Sequence, residues 1–231
     1  MKRVALVTGS SRGIGKATAE LLRERGYRVY GISRNAKPTE FEWSADISKE
    51  GAAQEVIQKI LDREKRLDVL VGNAAMSSAT PPLEVKRDDW HQMMQINVYG
   101  LYDFVRAAIP VMREQKFGRI INVGSVAGRS YSKTASVAYT ASKYAVVGLT
   151  RQMAAAFGAD GITINCVCPS QTRTEMLISL VPEEAQRAVA SANPTKRLCE
   201  PKEVAEAIAF LASDGASYIN GAVLDVNGGI L

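Results

Sequence analysis

The sequence predicts an α/β protein: a single doubly wound parallel sheet of about seven strands with helices on both faces, spanning residues 1–231 as one domain. Three observations carry this. Short β-branched runs alternate with longer segments of helical period. The strands are apolar without interruption, as strands covered on both faces must be. And 231 residues suffice for one core but leave no room for a second large domain. A substrate site must then be built from loops on the same scaffold that binds any cofactor.

Val4 to Val7 reads as a buried strand, and Gly13 to Arg25 as a helix closed by Gly26. Arg28 to Ile32 is the second strand. The segment from Arg34 to Asp46 is short and holds Pro38, so no full helix is expected there. Glu50 to Glu64 is helical, Leu67 to Val71 is a strand, and a long helical segment runs from about Asp88 to Glu114 through Gly100. Strand Arg119 to Val123, helix Val137 to Ala156, strand Thr163 to Val167, helix Glu203 to Ala212 and strand Val223 to Val226 complete the alternation. Between the last two strands, Thr172 to Cys199 is irregular and broken by Pro182 and Pro194, with Pro201 just beyond, and its helical pieces are expected to be brief. It follows the carboxyl end of a strand, where a cover over an open-sheet site would lie, so residues 172–201 are expected to form a substrate lid.

Composition narrows the function classes. The 29 Lys and Arg outnumber 24 Asp and Glu, for a net charge of +5, but they are scattered, and aromatics make up only 6%. Nucleic-acid binding is therefore not expected. A modest positive excess does suit a polyanionic small molecule such as a dinucleotide. Cys166, Cys168 and Cys199 cannot all pair, and no C-x-x-C occurs, so neither disulfides nor a metal site is expected. The opening MKRVALVTG leads straight into a strand, and no apolar run is long enough to span a membrane. Cytoplasm is the expected location, with no membrane partner.

Thr8-Gly9-Ser10-Ser11-Arg12-Gly13-Ile14-Gly15 joins the first strand to the first helix. Glycines let the backbone turn tightly and approach a pyrophosphate, and the helix N-terminus adds free N–H groups and partial positive charge. The spacing G-x-x-x-G-x-G lacks the Gly-Lys-Ser/Thr of a nucleotide-hydrolysing P-loop. A preference for NAD usually places a carboxylate at the end of the second strand. Here that strand ends in Ser33-Arg34, and Arg12 lies inside the glycine loop. Two guanidinium groups and a hydroxyl suit the extra 2′-phosphate of NADP(H), which is the expected cofactor.

Tyr139 and Lys143 are four residues apart at the start of a helix and project from one face. An ammonium beside a phenol favours the phenolate, which equips a tyrosine to protonate a forming alkoxide and recover the proton later. Ser125 follows a strand end and offers a hydroxyl to the same carbonyl oxygen.

Taken in order, T-G-S-S-R-G-I-G, Asp46, Gly72-Asn73-Ala74-Ala75, Asn97, Ser125 and Tyr139 with Lys143 resemble the classical short-chain dehydrogenase/reductase family over essentially the whole chain. The resemblance implies a Rossmann-type fold, an NADP-dependent oxidoreductase, and Tyr139 as acid/base. It implies that Lys143 holds the nicotinamide ribose, that Ser125 orients the carbonyl, and that Asn97 holds the water of a proton relay. Asp46 and Ile47 would flank the adenine, and Asn73 and Ala74 the adjoining ribose. The family's Pro-Gly motif and carboxamide-gripping Thr map to Pro169-Ser170 and Thr174, with Thr172 between them. Within the family the chain is most similar to 3-oxoacyl-(acyl-carrier-protein) reductases, through Lys116 to Asn122, Phe210 to Asp214 and Val226 to Gly229. That implies reduction of a β-ketoacyl thioester or related carbonyl, and a homotetramer. An NADP-dependent alcohol or sugar dehydrogenase is the alternative. The group's two carrier-docking cations at the active-site rim map to Arg119 and to Asp160, and an acidic carrier would be repelled at the second.

Two other classes fit less well. A serine hydrolase needs a histidine base, and the only one, His91, lies in a helical pattern away from any G-x-S-x-G. A dinucleotide sensor without catalysis would be expected to lack some of Asn97, Ser125, Tyr139 and Lys143, and all four are present.

Overall fold

The computed structural model describes residues 2–231; Met1, the first residue of the expected domain, lies outside them. Seven strands form one parallel sheet in the order β3-β2-β1-β4-β5-β6-β7. They are β1 (Val4–Thr8), β2 (Arg28–Ser33), β3 (Glu42–Ser44), β4 (Val69–Gly72), β5 (Gly118–Val123), β6 (Ile162–Pro169) and β7 (Val223–Val226). The helices are α1 (Gly13–Glu24), α2 (Ala52–Glu64), α3 (Arg87–Met94), α4 (Leu101–Gln115), α5 (Val137–Phe157), α6 (Glu175–Leu180), α7 (Glu183–Ala192) and α8 (Pro201–Leu211).

The strand pleat sorts side chains into two cores. Val4, Leu6, Leu70 and Ile120 point to one face and meet α2, α4 and α5 through Ile57, Ile60, Phe104, Val105 and Val146. Ala5, Val7, Val71 and Ile121 point to the other and meet α1 and α8 through Leu22, Val204 and Ile208. This two-sided burial produces the uninterrupted apolar runs in the sequence. The order reverses between β1 and β4, and the crevice beyond their carboxyl ends is where an open sheet of this kind binds ligands.

The structure departs from the sequence reading in three places. Residues 42–44 form a short strand at the sheet edge, held by the burial of Trp43 against Tyr30, ring centroids 4.9 Å apart. The long helix from Asp88 to Glu114 is interrupted by a π-helical turn, Gln95–Gly100, because Asn97 is pulled toward Met76 as described below. As expected, the helical pieces in residues 172–199 are brief: α6 and α7. Finally, Arg119 is not at the active-site rim. It is the second residue of β5, roughly 13 Å of strand before Val123, and is only 5% exposed, with its guanidinium carbon 4.4 Å from the Phe117 ring centre. Asp160, just ahead of β6, shares this amino edge and pairs with Arg113 at 2.8 Å. Within one chain, neither residue faces the crevice.

Cys166 and Cys168 are wholly buried on one face of β6 with their sulfurs 3.8 Å apart, and His91 is exposed on α3. Among the described residues, no helix is long and apolar enough to cross a membrane, and no three His, Cys, Asp or Glu side chains gather as metal ligands.

The start of α8 carries a pH-sensitive contact. Arg197 donates to both Glu203 oxygens at 2.6 Å, and the Glu200 N–H donates to Glu203 at 2.8 Å. The guanidinium first and the N–H second hold the Glu203 carboxyl down to about 2, against roughly 4.3 for a free glutamate. A depressed carboxylate contributes stability above its unfolded value and loses it as pH falls toward the folded one. Glu203→Gln is therefore expected to melt below wild type at neutral pH, with the difference in Tm closing between about pH 4 and pH 2. A constant difference across a pH series of thermal melts would contradict this.

Candidate active site

One crevice of about 440 Å³ opens over the carboxyl ends of the strands. One wall comes from the β1–α1 loop, the end of β2 and the turn after β3. Gly9, Ser11, Arg12, Gly13 and Ile14 line it, with Ser33, Arg34, Asp46 and Ile47 beside them. Gly9 has φ +69°, which favours glycine. Gly15 does not line the crevice; it lets the loop fold onto itself, because a Cβ there would collide with the Gly9 carbonyl oxygen.

The loop is fixed from two sides. Asn73, beyond β4, donates its side-chain amide to the carbonyls of Thr8 at 2.9 Å and Gly9 at 3.2 Å. Thr8 Oγ1 in turn accepts from the N–H groups of Asn73 and Ala74, both at 3.0 Å. On the other side, Ser10 Oγ donates to Glu42 at 2.6 Å, and Glu42 is held by Arg23 at 2.6 Å. Glu42 reaches Ser10 only because residue 31 is glycine: a Cβ on Gly31 would collide with the carboxylate. Sequence reasoning missed Glu42, since the strand that carries it was not recognised.

At the end of β2, Ser33 Oγ is buried without a partner while Arg34 lies next to it on the crevice wall. Asp46 Oδ1 accepts from Ser48 N at 3.0 Å and Ser48 Oγ at 2.8 Å. Burial pushes the Asp46 carboxyl up, but these hydrogen bonds and the nearby Arg34 outweigh it and hold it below its ordinary value.

The opposite end holds the three side chains expected to be catalytic. Ser125, Tyr139 and Lys143 line the same crevice. Ser125 follows β5 and closes a tight turn by accepting from Ala127 N at 3.1 Å. Tyr139 stands in the first turn of α5, where the cap residue Ser136 accepts its N–H at 3.3 Å. Lys143, one turn on, is 3% exposed. Its ammonium lies 5.6 Å from the Tyr139 ring centre and donates to the Val123 carbonyl at 2.7 Å, leaving two donors for a ligand.

Asn97 is brought near but does not line the crevice. It is 2% exposed, and its carboxamide is fully engaged. Oδ1 accepts from Met76 N at 2.8 Å, and Nδ2 donates to Met76 O at 2.9 Å and Ser142 Oγ at 3.0 Å. Ser142 Oγ donates onward to the Tyr139 carbonyl at 2.7 Å, so the π-turn is braced against the first turn of α5. Pro169, Ser170, Thr172 and Thr174 line the crevice beyond β6. Thr174 Oγ1 caps α6 by accepting from Leu177 N at 3.3 Å, and Thr172 Oγ1 donates to the Ser170 carbonyl at 2.9 Å.

A cleft with a glycine loop at one end and a serine, a tyrosine and a lysine at the other is suited to moving a proton at a carbonyl oxygen. A family model described as "Enoyl-(Acyl carrier protein) reductase" matches residues 9–231. The chain belongs to the short-chain dehydrogenase/reductase family. This short-chain dehydrogenase/reductase is 38% identical to a 3-oxoacyl-(acyl-carrier-protein) reductase, FabG, of Haemophilus influenzae, with 99% of this chain and 98% of that one covered. It is 35% identical to an acetoacetyl-CoA reductase of Shinella zoogloeoides, covering 99% of this chain and 98% of that one. Among solved structures, "ElxO with NADP Bound" superposes with a TM-score of 0.92 at 32% identity, covering 100% of this chain and 99% of that one.

Proposed function

We propose that this chain is an NADPH-dependent reductase that converts a ketone, of the β-ketoacyl thioester kind or a related carbonyl, to a secondary alcohol. The observation that carries the reading is the sharing of one crevice by Ser125, Tyr139 and Lys143 with the glycine loop and Arg34. The relatives' names, which include a 3-oxoacyl-(acyl-carrier-protein) reductase and an acetoacetyl-CoA reductase, support the same chemistry.

The residues present fit NADP(H). The glycine loop offers N–H groups to the pyrophosphate, and the orphaned Ser33 Oγ with Arg34 and Arg12 would take the 2′-phosphate. Asp46 and Ile47 would border the adenine, and Asn73 and Ala74 the ribose next to it. Pro169, Ser170, Thr172 and Thr174 would border the carboxamide end. Because Thr174 Oγ1 already caps α6, a carboxamide held there would share that hydroxyl or the adjoining backbone. Held by these residues, the reduced nicotinamide would be the source of the hydride that the carbonyl carbon takes up.

The chain's own residues then manage the proton. Ser125 donates a hydrogen bond to the carbonyl oxygen and orients it. Tyr139 gives its phenolic proton to that oxygen as it becomes an alkoxide. Lys143 favours the resulting phenolate by charge and holds the ribose with its free donors. With its carboxamide engaged, Asn97 would hold a relay water through its main-chain carbonyl. Residues 172–201, with α6 and α7, serve as the cover that excludes water.

The assignment further comprises a cytoplasmic homotetramer, with no nucleic-acid or membrane partner. Purified protein is expected to oxidise NADPH when given β-ketoacyl thioesters, and to migrate at about four times the 25.0 kDa chain mass on sedimentation. NADPH that binds but is never consumed across a broad carbonyl panel would remove the catalytic reading.

A further inference from the structure

Glu42 puts a carboxylate close to the strand end proposed above to take the 2′-phosphate. In the β2–β3 register it stands level with Gly31, as Ser44 does with Ser33. Its carboxylate fills the space that a Cβ on Gly31 would need. Ser33 lies two residues further along β2 on the same side, roughly 7 Å of strand away. A bare negative charge at that range opposes the binding of a phosphate.

Each oxygen of Glu42 has its own partner. Ser10 Oγ, buried in the glycine loop, donates to Oε2 at 2.6 Å. Without that acceptor, the hydroxyl would be a buried polar group with nothing to bond. Arg23, in the last turn of α1, donates to Oε1 at 2.6 Å. One oxygen therefore fixes the loop, and the other is matched by a cation. Both side chains are partly open to water, so as an ion pair they add little to stability. Their effect is on the field around the loop.

We infer that Arg23 and Glu42 are paired positioning residues that set the preference for NADPH: Glu42 holds the glycine loop through Ser10, and Arg23 cancels the charge that this hold introduces beside the 2′-phosphate. The inference rests on the NADPH reading above and deepens it. The loop contact serves NADPH and NADH alike, since both carry the pyrophosphate. The cancelled charge matters to NADPH alone. Losing Arg23 with Glu42 in place leaves the loop held but exposes the carboxylate to the phosphate. Losing both charges removes the repulsion together with its remedy. Discrimination here depends on suppressing an unfavourable charge as well as on the attraction of Arg12 and Arg34.

The test is fluorescence titration of NADPH and of NADH into the intact protein, its Arg23→Gln variant and the Arg23→Gln, Glu42→Gln double variant. Arg23→Gln is expected to raise the Kd for NADPH about three- to tenfold and to leave NADH within about twofold. Its NADPH deficit relative to wild type should shrink as salt is added. The double variant is expected to bind NADPH within about twofold of wild type, since a glutamine carboxamide still accepts from Ser10. Equal weakening of both dinucleotides in Arg23→Gln, no change in either, or a double variant no better than the single one would overturn the inference. Those results leave the NADPH reading standing wherever the wild-type chain binds NADPH more tightly than NADH. A wild type that binds NADH as tightly as NADPH would remove that reading and this one together.

Discussion

Tyr139→Phe is expected to lower kcat for ketone reduction by about 10²- to 10⁴-fold, the range a positioned general acid supplies, with dinucleotide affinity nearly unchanged. Phenylalanine keeps the ring and its place in the first turn of α5, whose cap by Ser136 depends on the backbone N–H alone. Only the oxygen is lost, and with it the proton donor proposed for the reaction. The measurement is steady-state turnover alongside an NADPH fluorescence titration, which separates chemistry from binding. Wild-type turnover in the variant would remove Tyr139 from the reaction.

The second large effect concerns cofactor choice. Arg34→Ala and Arg12→Ala are each expected to weaken NADPH binding by about tenfold or more while leaving NADH within a few-fold. A hydrogen bond to a charged group contributes about 1.5–3 kcal/mol, and about 1.4 kcal/mol is tenfold in affinity. Both guanidinium groups line the crevice, with the unpartnered Ser33 hydroxyl adjoining Arg34. Ser33→Asp should reverse the preference by placing a carboxylate where the 2′-phosphate would sit. NADPH affinity unmoved in both arginine variants would refute the phosphate assignment.

Much of this was legible in the sequence because the physics behind it is local. A strand covered on both faces favours apolar residues at every position, so β1 and β4 announce themselves as continuous runs, and β5 and β6 as apolar runs broken by a few polar residues. The glycine loop is equally plain, since its tight turn tolerates few other residues. What escaped depends on distant partners. Strand β3 is three residues long at an edge, and its one buried side chain, Trp43, finds its place only against Tyr30. The π-turn is set by Asn97 reaching Met76, 21 positions earlier in the chain, which no local period encodes. Asn97 and Thr174 were expected at the site, and lie in or next to it, but with their side chains already engaged. Arg119 was misplaced although strand direction alone puts the first residues of β5 at the edge opposite the crevice.

The short bond from the Lys143 ammonium to the Val123 carbonyl joins the helix that carries Tyr139 to the strand end that carries Ser125. The phenol and the hydroxyl are thus linked through one side chain rather than through the loops between them. Cutting that one tether, as Lys143→Met would, should decouple the two even where each remains individually well ordered.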